Sequence, residues 1–186
     1  VQFLLSCGAD LNIKDKFNST ALQMAAVKGH CDIVTMLAQH SFDATSCDEH
    51  GNTVLHFAAQ SGNANCVSWL LGYGFDVNAR NHKQETPLLR AAWWGEYKTA
   101  RLLVENGAIV SSTDKDCNSV MHCAARSGKG ELINYIFECG VNLDSRNIRG
   151  ETPLSWAAWF GKLEAVRCLC ERGASLDALD IVCGFT

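Results

Sequence analysis

Thr86-Pro87-Leu88-Leu89-Arg90-Ala91-Ala92-Trp93-Trp94-Gly95 carries the start, body and stop signals of a short helix. Thr86 is a good N-cap, because its side-chain oxygen accepts from a first-turn N–H that has no helical partner. Pro87 has its φ pre-set for the first turn and lacks the N–H that would go unpaired there. The Ala91-Ala92 pair favours helix and is slim, so neighbouring helices can approach closely. Gly95 enters the left-handed region without strain and ends the helix. A second helix is expected next, with Ala100, Leu102, Leu103 and Val104 on its apolar side, until Asn106-Gly107-Ala108 stops it. A short extended stretch then runs to the turn Asp114-Lys115-Asp116-Cys117.

This pattern recurs along the chain. The Ala pair returns at 25–26, 58–59, 124–125 and 157–158, with Gly29, Gly62, Gly128 and Gly161 after it at the same offset. Thr20, Thr53, Ser119 and Thr152 lead the other copies, and Leu22, Leu55, Met121 and Leu154 follow two residues later. A second register, Gly8, Gly74, Gly107, Gly140 and Gly173, keeps the same 33-residue step, with Ser41 in the one gap. A unit of helix, turn, helix and projecting turn cannot bury its own apolar face, so the units must stack. Turns at Asp15, Asp48, Asn81, Asp114 and Asn147 divide the chain into complete units 15–47, 48–80, 81–113, 114–146 and 147–179. Partial units are expected at 1–14 and 180–186, where Gly184-Phe185-Thr186 reads as the opening of a further turn.

Thr86-Pro87-Leu88, Thr152-Pro153-Leu154, Thr53-Val54-Leu55-His56 and the run Gly8-Ala9-Asp10-Leu11-Asn12 closely resemble the ankyrin repeat, whose marks are this period and a TPLHxAA signature. The resemblance covers the whole chain. It implies an all-α solenoid of stacked helix-turn-helix units with short β-hairpin turns, forming a single domain over 1–186. It also implies that His56 and His122 hydrogen-bond neighbouring turns. Thr20-Ala21-Leu22-Gln23 and Ser119-Val120-Met121-His122 depart from the signature by lacking its Pro. Asn18 and Cys117 stand where a turn Gly is common.

Composition excludes several other classes. At 47% apolar and 19% charged, the 186 residues are too apolar for a disordered tail. With 16 basic and 20 acidic side chains the net charge is −4, and no basic stripe is present to bind nucleic acid. No run of about 18 apolar residues occurs, so no segment is expected to insert in a membrane. The start, Val1-Gln2-Phe3-Leu4-Leu5, has no signal-peptide pattern and reads as a cut inside a longer protein. Ten cysteines without a CxxC pair read as reduced thiols of an intracellular, cytoplasmic chain rather than a disulfide framework or zinc site. Catalytic and cofactor motifs are absent, so neither an enzyme, a metal, a cofactor nor a small-molecule substrate is expected.

What remains is binding. The resemblance implies a concave side, made of first helices and turn tips, that takes a protein or peptide partner. The residues between the Ala pair and the Gly vary most: Val27-Lys28, Gln60-Ser61, Trp93-Trp94, Arg126-Ser127 and Trp159-Phe160. Adjacent helical residues point about 100° apart, so a double aromatic leaves one ring exposed. Exposed Trp and Arg dominate interface energetics. Two aromatic ridges are therefore expected, Trp93-Trp94 and Trp159-Phe160, about 16–20 Å apart with Arg126 and Ser127 between them. Arg90 is expected over Trp93 or Trp94, at cation–π reach along its own helix. On the turn tips, His82, Lys83, Lys115 and Arg149 complete the candidate set. The function this predicts is a non-catalytic interaction scaffold; the alternative is a regulatory or targeting arm of a larger enzyme, channel or receptor. Asp76-Val77-Asn78 resembles the context in which ankyrin-repeat asparagines are hydroxylated, which makes Asn78 a candidate for that modification.

Overall fold

The computed structural model describes residues 9–40 and 46–176. The partial unit 180–186, residues 1–8 of the first partial unit, Ser41, Cys7 and Cys183 lie outside the described residues. Within them ten helices run in pairs: α1 (Ala21–Val27) and α2 (Cys31–Ala38), α3 (Val54–Ser61) and α4 (Ala64–Gly72), α5 (Pro87–Trp94) and α6 (Tyr97–Glu105), α7 (Val120–Ser127) and α8 (Gly130–Glu138), α9 (Pro153–Trp159) and α10 (Leu163–Glu171). Both first and second helices begin every 33 residues. Among the described residues no helix is long and apolar enough to cross a membrane.

Four of the five described first helices start where a hydroxyl caps them. Thr20, Thr86, Ser119 and Thr152 accept from the backbone N–H three residues on. Gly29, Gly62, Gly95, Gly128 and Gly161 follow the first helices with φ between 65° and 81°, the left-handed region that a side chain would strain. First helices then pack on first helices and second on second, α1 to α3 to α5 to α7 to α9 and α2 to α4 to α6 to α8 to α10. The slim Ala pairs sit at these contacts, and Ala58, Ala59, Ala91, Ala92, Ala124 and Ala125 are fully buried. Leu55, Leu88, Leu103, Met121, Leu132, Ile136 and Leu169 fill the space between layers. The result is an all-α solenoid with one continuous core.

The projecting turns are held from below and from the side. Asp15, Asp48, Asn81, Asp114 and Asn147 each accept, through one Oδ1, from the backbone N–H groups two and four residues on. Sideways, Glu49 N–H donates to Phe17 O, His82 to His50 O, Lys115 to Lys83 O and Ile148 to Asp116 O. These rungs tie each tip to the previous one. The expected hairpins are slight: single antiparallel bridges join Lys14 to Thr20, Cys47 to Thr53 and Thr113 to Ser119. In the third and fifth units a guanidinium closes the turn instead, Arg80 donating to Gln84 O and Arg146 to Gly150 O.

Candidate partner-binding surface

Turn tips and first helices share one side of the solenoid. Between the first three units they line a groove of about 240 Å³, with Asp48, His50, Asn81, Lys83 and Glu85 from the turns and Val27, Phe57, Gln60 and Arg90 from the helices. Arg90 does not lie over the indoles as expected. Its Nη2 donates to Gln60 Oε1, and its Nη1 lies 3.5 Å from Glu85 Oε2. The reason is geometric and energetic. Its neighbours on this face come from the adjoining unit and the turn as much as from its own helix. Charge-assisted hydrogen bonds to them exceed the roughly 0.5–1 kcal/mol of an exposed cation–π contact.

The cation on the indole is Arg126. Its guanidinium carbon stands 3.8 Å from the centre of the Trp93 ring and 5.0 Å from that of Phe160. The two expected ridges are also joined rather than separate. Trp156, one helical turn before Phe160, meets Trp93 edge-on with ring centres 5.9 Å apart and Phe160 at 6.0 Å. Cys123, the residue of α7 equivalent to Arg90 and Trp156, is small and buried, so no bulky side chain from that position stands between the rings. Trp156 is fixed in turn by its Nε1–H, which donates to Glu151 Oε2 at 2.8 Å.

Exposure differs sharply along this run. Trp93 is half-buried under Arg126, whereas Trp94, Phe160 and Trp159 are 52%, 40% and 86% exposed. The Trp159 value has a local cause. Its equivalent Trp93 is covered from the following unit, and among the described residues nothing stacks beyond α9. Ala158 is exposed there while Ala26, Ala59, Ala92 and Ala125 are buried. His82, Lys83, Lys115 and Arg149 all reach solvent from the turn tips. Arg149 lies 4.0 Å from Glu151.

Asn78 belongs elsewhere. Its side chain donates to Gly107 O at 3.1 Å and accepts from the Ile109 N–H at 2.9 Å, tying the end of its unit to the next. Phe57, Gln60, Glu85, Trp156 and Glu151 also shape the surface, although sequence reasoning did not single them out as site residues. The signal was present: Phe57, Arg90 and Trp156 occupy one repeat position, three residues before the variable Gln60, Trp93 and Trp159.

Histidines and thiols near this face are structural. His56 Nε2 stands 3.0 Å from Glu85 O while Nδ1 lies 3.2 Å from the Thr53 N. His122 repeats this with Glu151 O at 2.9 Å and the Ser119 N at 3.2 Å. Both rings are thereby held neutral with the proton on Nε2, and burial pushes their pKa values below the ordinary one. Burial likewise pushes the Cys123 thiol up, and Cys66 up to about 12, which disfavours the nucleophilic thiolate. Among the described residues no three His, Cys, Asp or Glu side chains converge to hold a metal.

Stacked helix pairs with capped first helices and a ladder of projecting turns define a helical-repeat solenoid that presents one extended face. Family models agree: the one described as Ankyrin repeats (3 copies) matches residues 1–81 and 109–180, Ankyrin repeats (many copies) matches 66–98, and Ankyrin repeat matches 83–115. The chain belongs to the ankyrin-repeat family. No curated protein matches it. Ankyrin repeats are in general protein–protein interaction modules and typically non-catalytic.

Proposed function

We propose that this chain is a non-catalytic scaffold whose five units, 15–47 to 147–179, act as one module that holds a partner protein or peptide against its first-helix face and turn tips. The observation that carries this reading is the joined aromatic surface of the third to fifth units. Large rings beside a half-buried guanidinium have the composition of an interface hot spot. The polar groove at Arg90 and the tips Lys83, Lys115 and Arg149 extend the same face.

The double variant W94A/W159A tests it. Both rings lie largely outside the core, so the melting temperature should stay within about 3 °C of the parent value, in line with surface substitutions. Affinity for peptides selected on the parent chain should fall at least about tenfold, the loss expected when hot-spot rings are truncated. Unchanged binding by a folded double variant would remove this face from the function.

A further inference from the structure

Arg126 is a half-buried cation of this face whose charge no carboxylate among the described residues answers. Its half-buried guanidinium lies over Trp93 and Phe160, yet among the described residues no carboxylate pairs with it and no acceptor meets its buried Nε. The neighbouring carboxylates are already engaged. Glu85 Oε2 faces Arg90 and accepts from Asn81 Nδ2 at 2.6 Å. Glu151 Oε2 accepts from Trp156 Nε1 and from Asn147 Nδ2 at 2.6 Å. Asp114 holds its own turn through Asp116 N–H, Asn118 N–H and Asn118 Nδ2. Lys83 and Lys115 stand exposed on the tips beside them. A chain of net charge −4 thus keeps an unpaired cation on the face that carries its exposed tryptophans.

The rings decide what such a cation can hold. Two rings lie against the guanidinium, and coplanar N–H donors of such a group fit the two oxygens of a carboxylate. Phosphate sites gather several cations or a helix N-terminus around three oxygens, and here a single guanidinium lies against the rings. Rings that screen the pair from water also strengthen it.

We propose that the first-helix face of units three to five takes an acidic peptide segment. An Asp or Glu of the partner binds edge-on to Arg126, and apolar neighbours of that residue seat on Trp94 and Trp159. This rests on the binding role proposed above and specifies its partner.

Panning a phage library of random twelve-residue peptides on the whole chain tests the proposal. Enriched clones should carry Asp or Glu close to an aromatic or aliphatic residue. Changing that acid to its amide in the peptide, or R126Q in the protein, should each weaken binding at least about tenfold. The two changes together should cost little more than one, the mark of a direct pair. R126K, which keeps the charge and loses the plane, should fall between. Neutral or basic consensus sequences overturn the proposal, as does a phosphoserine copy that binds more tightly than the carboxylate. Acidic clones indifferent to R126Q but lost with W94A/W159A sink the carboxylate site and leave the binding face standing. Clones indifferent to all these variants, or no enrichment at all, overturn both. The peptide-side amide change keeps the test sound even if an arginine variant folds poorly.

Discussion

At the scale of single residues, the same repeat position is filled three times by a side chain that staples one turn to the next. His56 and His122 do it with an imidazole and Gln23 with an amide. Gln23 Oε1 accepts from the Thr20 N–H while its Nε2 donates to Ser46 O and Asn52 O. The chemistry is equivalent at neutral pH and different in acid. A proton on Nδ1 of either histidine would face the Thr53 or Ser119 N–H, donor against donor, inside a buried site. The folded chain therefore favours the neutral rings, with pKa values lowered chiefly by burial. The sign follows from linkage. The unfolded chain takes up these protons first, so the stabilisation is whole above the ordinary histidine value of about 6.5 and is lost as pH falls through it. Thermal melts of the parent chain from pH 8 to pH 5 should show this decline, and H56Q/H122Q should flatten it. Because glutamine supplies the same donor and acceptor, the double variant should fold normally at pH 7.5. His122→Ala should not, since it strands buried partners at a cost of about 1–3 kcal/mol. An undiminished slope in H56Q/H122Q would assign the acid sensitivity to other groups.

At the scale of elements, the turns carry the structure's main local strain. Asn18, Gln84 and Cys117 hold φ near +60° at the position where Gly51 and Gly150 stand in their own units. Asn tolerates the left-handed region; Gln and Cys do so at a cost of about 1–2 kcal/mol. Glycine there gives back part of that through the freedom of the unfolded chain. Gln84→Gly and Cys117→Gly should each stabilise by about 0.5–1 kcal/mol, read as a higher urea midpoint with an unchanged slope. A fall in the midpoint would mean that these side chains support the tips in some other way. The absence of glycine at 18 and 117 was visible in the sequence, while the retained turn geometry was not, because the Asx bonds and the tip-to-tip rungs impose it from outside. Helices were legible for the opposite reason: Thr or Ser caps, Ala pairs and closing glycines are local signals repeated five times. The binding face was legible only in part. Trp93-Trp94 and Trp159-Phe160 stand out against Gln60-Ser61, but Arg90 was given the wrong partner and Arg126 none. Reasoning along one helix placed Arg90 over its own indoles. In a solenoid the nearest neighbours lie one unit away, which is how Arg126 comes to rest on Trp93 and Phe160 and Trp156 to meet Trp93.

At the scale of the whole molecule, stability is a sum of units and the interfaces between them, so the effect of a cavity depends on where it opens. Leu88 and Leu169 are both fully buried leucines. Truncating either to Ala should cost about 2–5 kcal/mol locally. Leu88 lies on α5, which packs against α3 on one side and α7 on the other. A cavity there weakens two interfaces at once and should let the array open in its middle. Leu169 lies on α10, which packs against α8, α9 and α7, and its loss should loosen the fifth unit alone. Amide exchange followed by mass spectrometry separates the two. With Leu169→Ala, exchange should quicken over 153–171 and stay at the parent rate over 54–72, because α3 and α4 pack against no helix of the damaged unit. With Leu88→Ala, protection should fall on both sides of α5, with α3 and α7 accelerating together. The contrast also bears on binding. The rings of the third and fifth units meet across the fourth, so Leu169→Ala should displace Trp156 and Phe160 from Trp93 and Arg126 and weaken peptide capture while the first three units stay folded. Uniform acceleration across all ten described helices in both variants would instead mean that the chain unfolds as one cooperative block, and that its binding face cannot be disturbed one unit at a time.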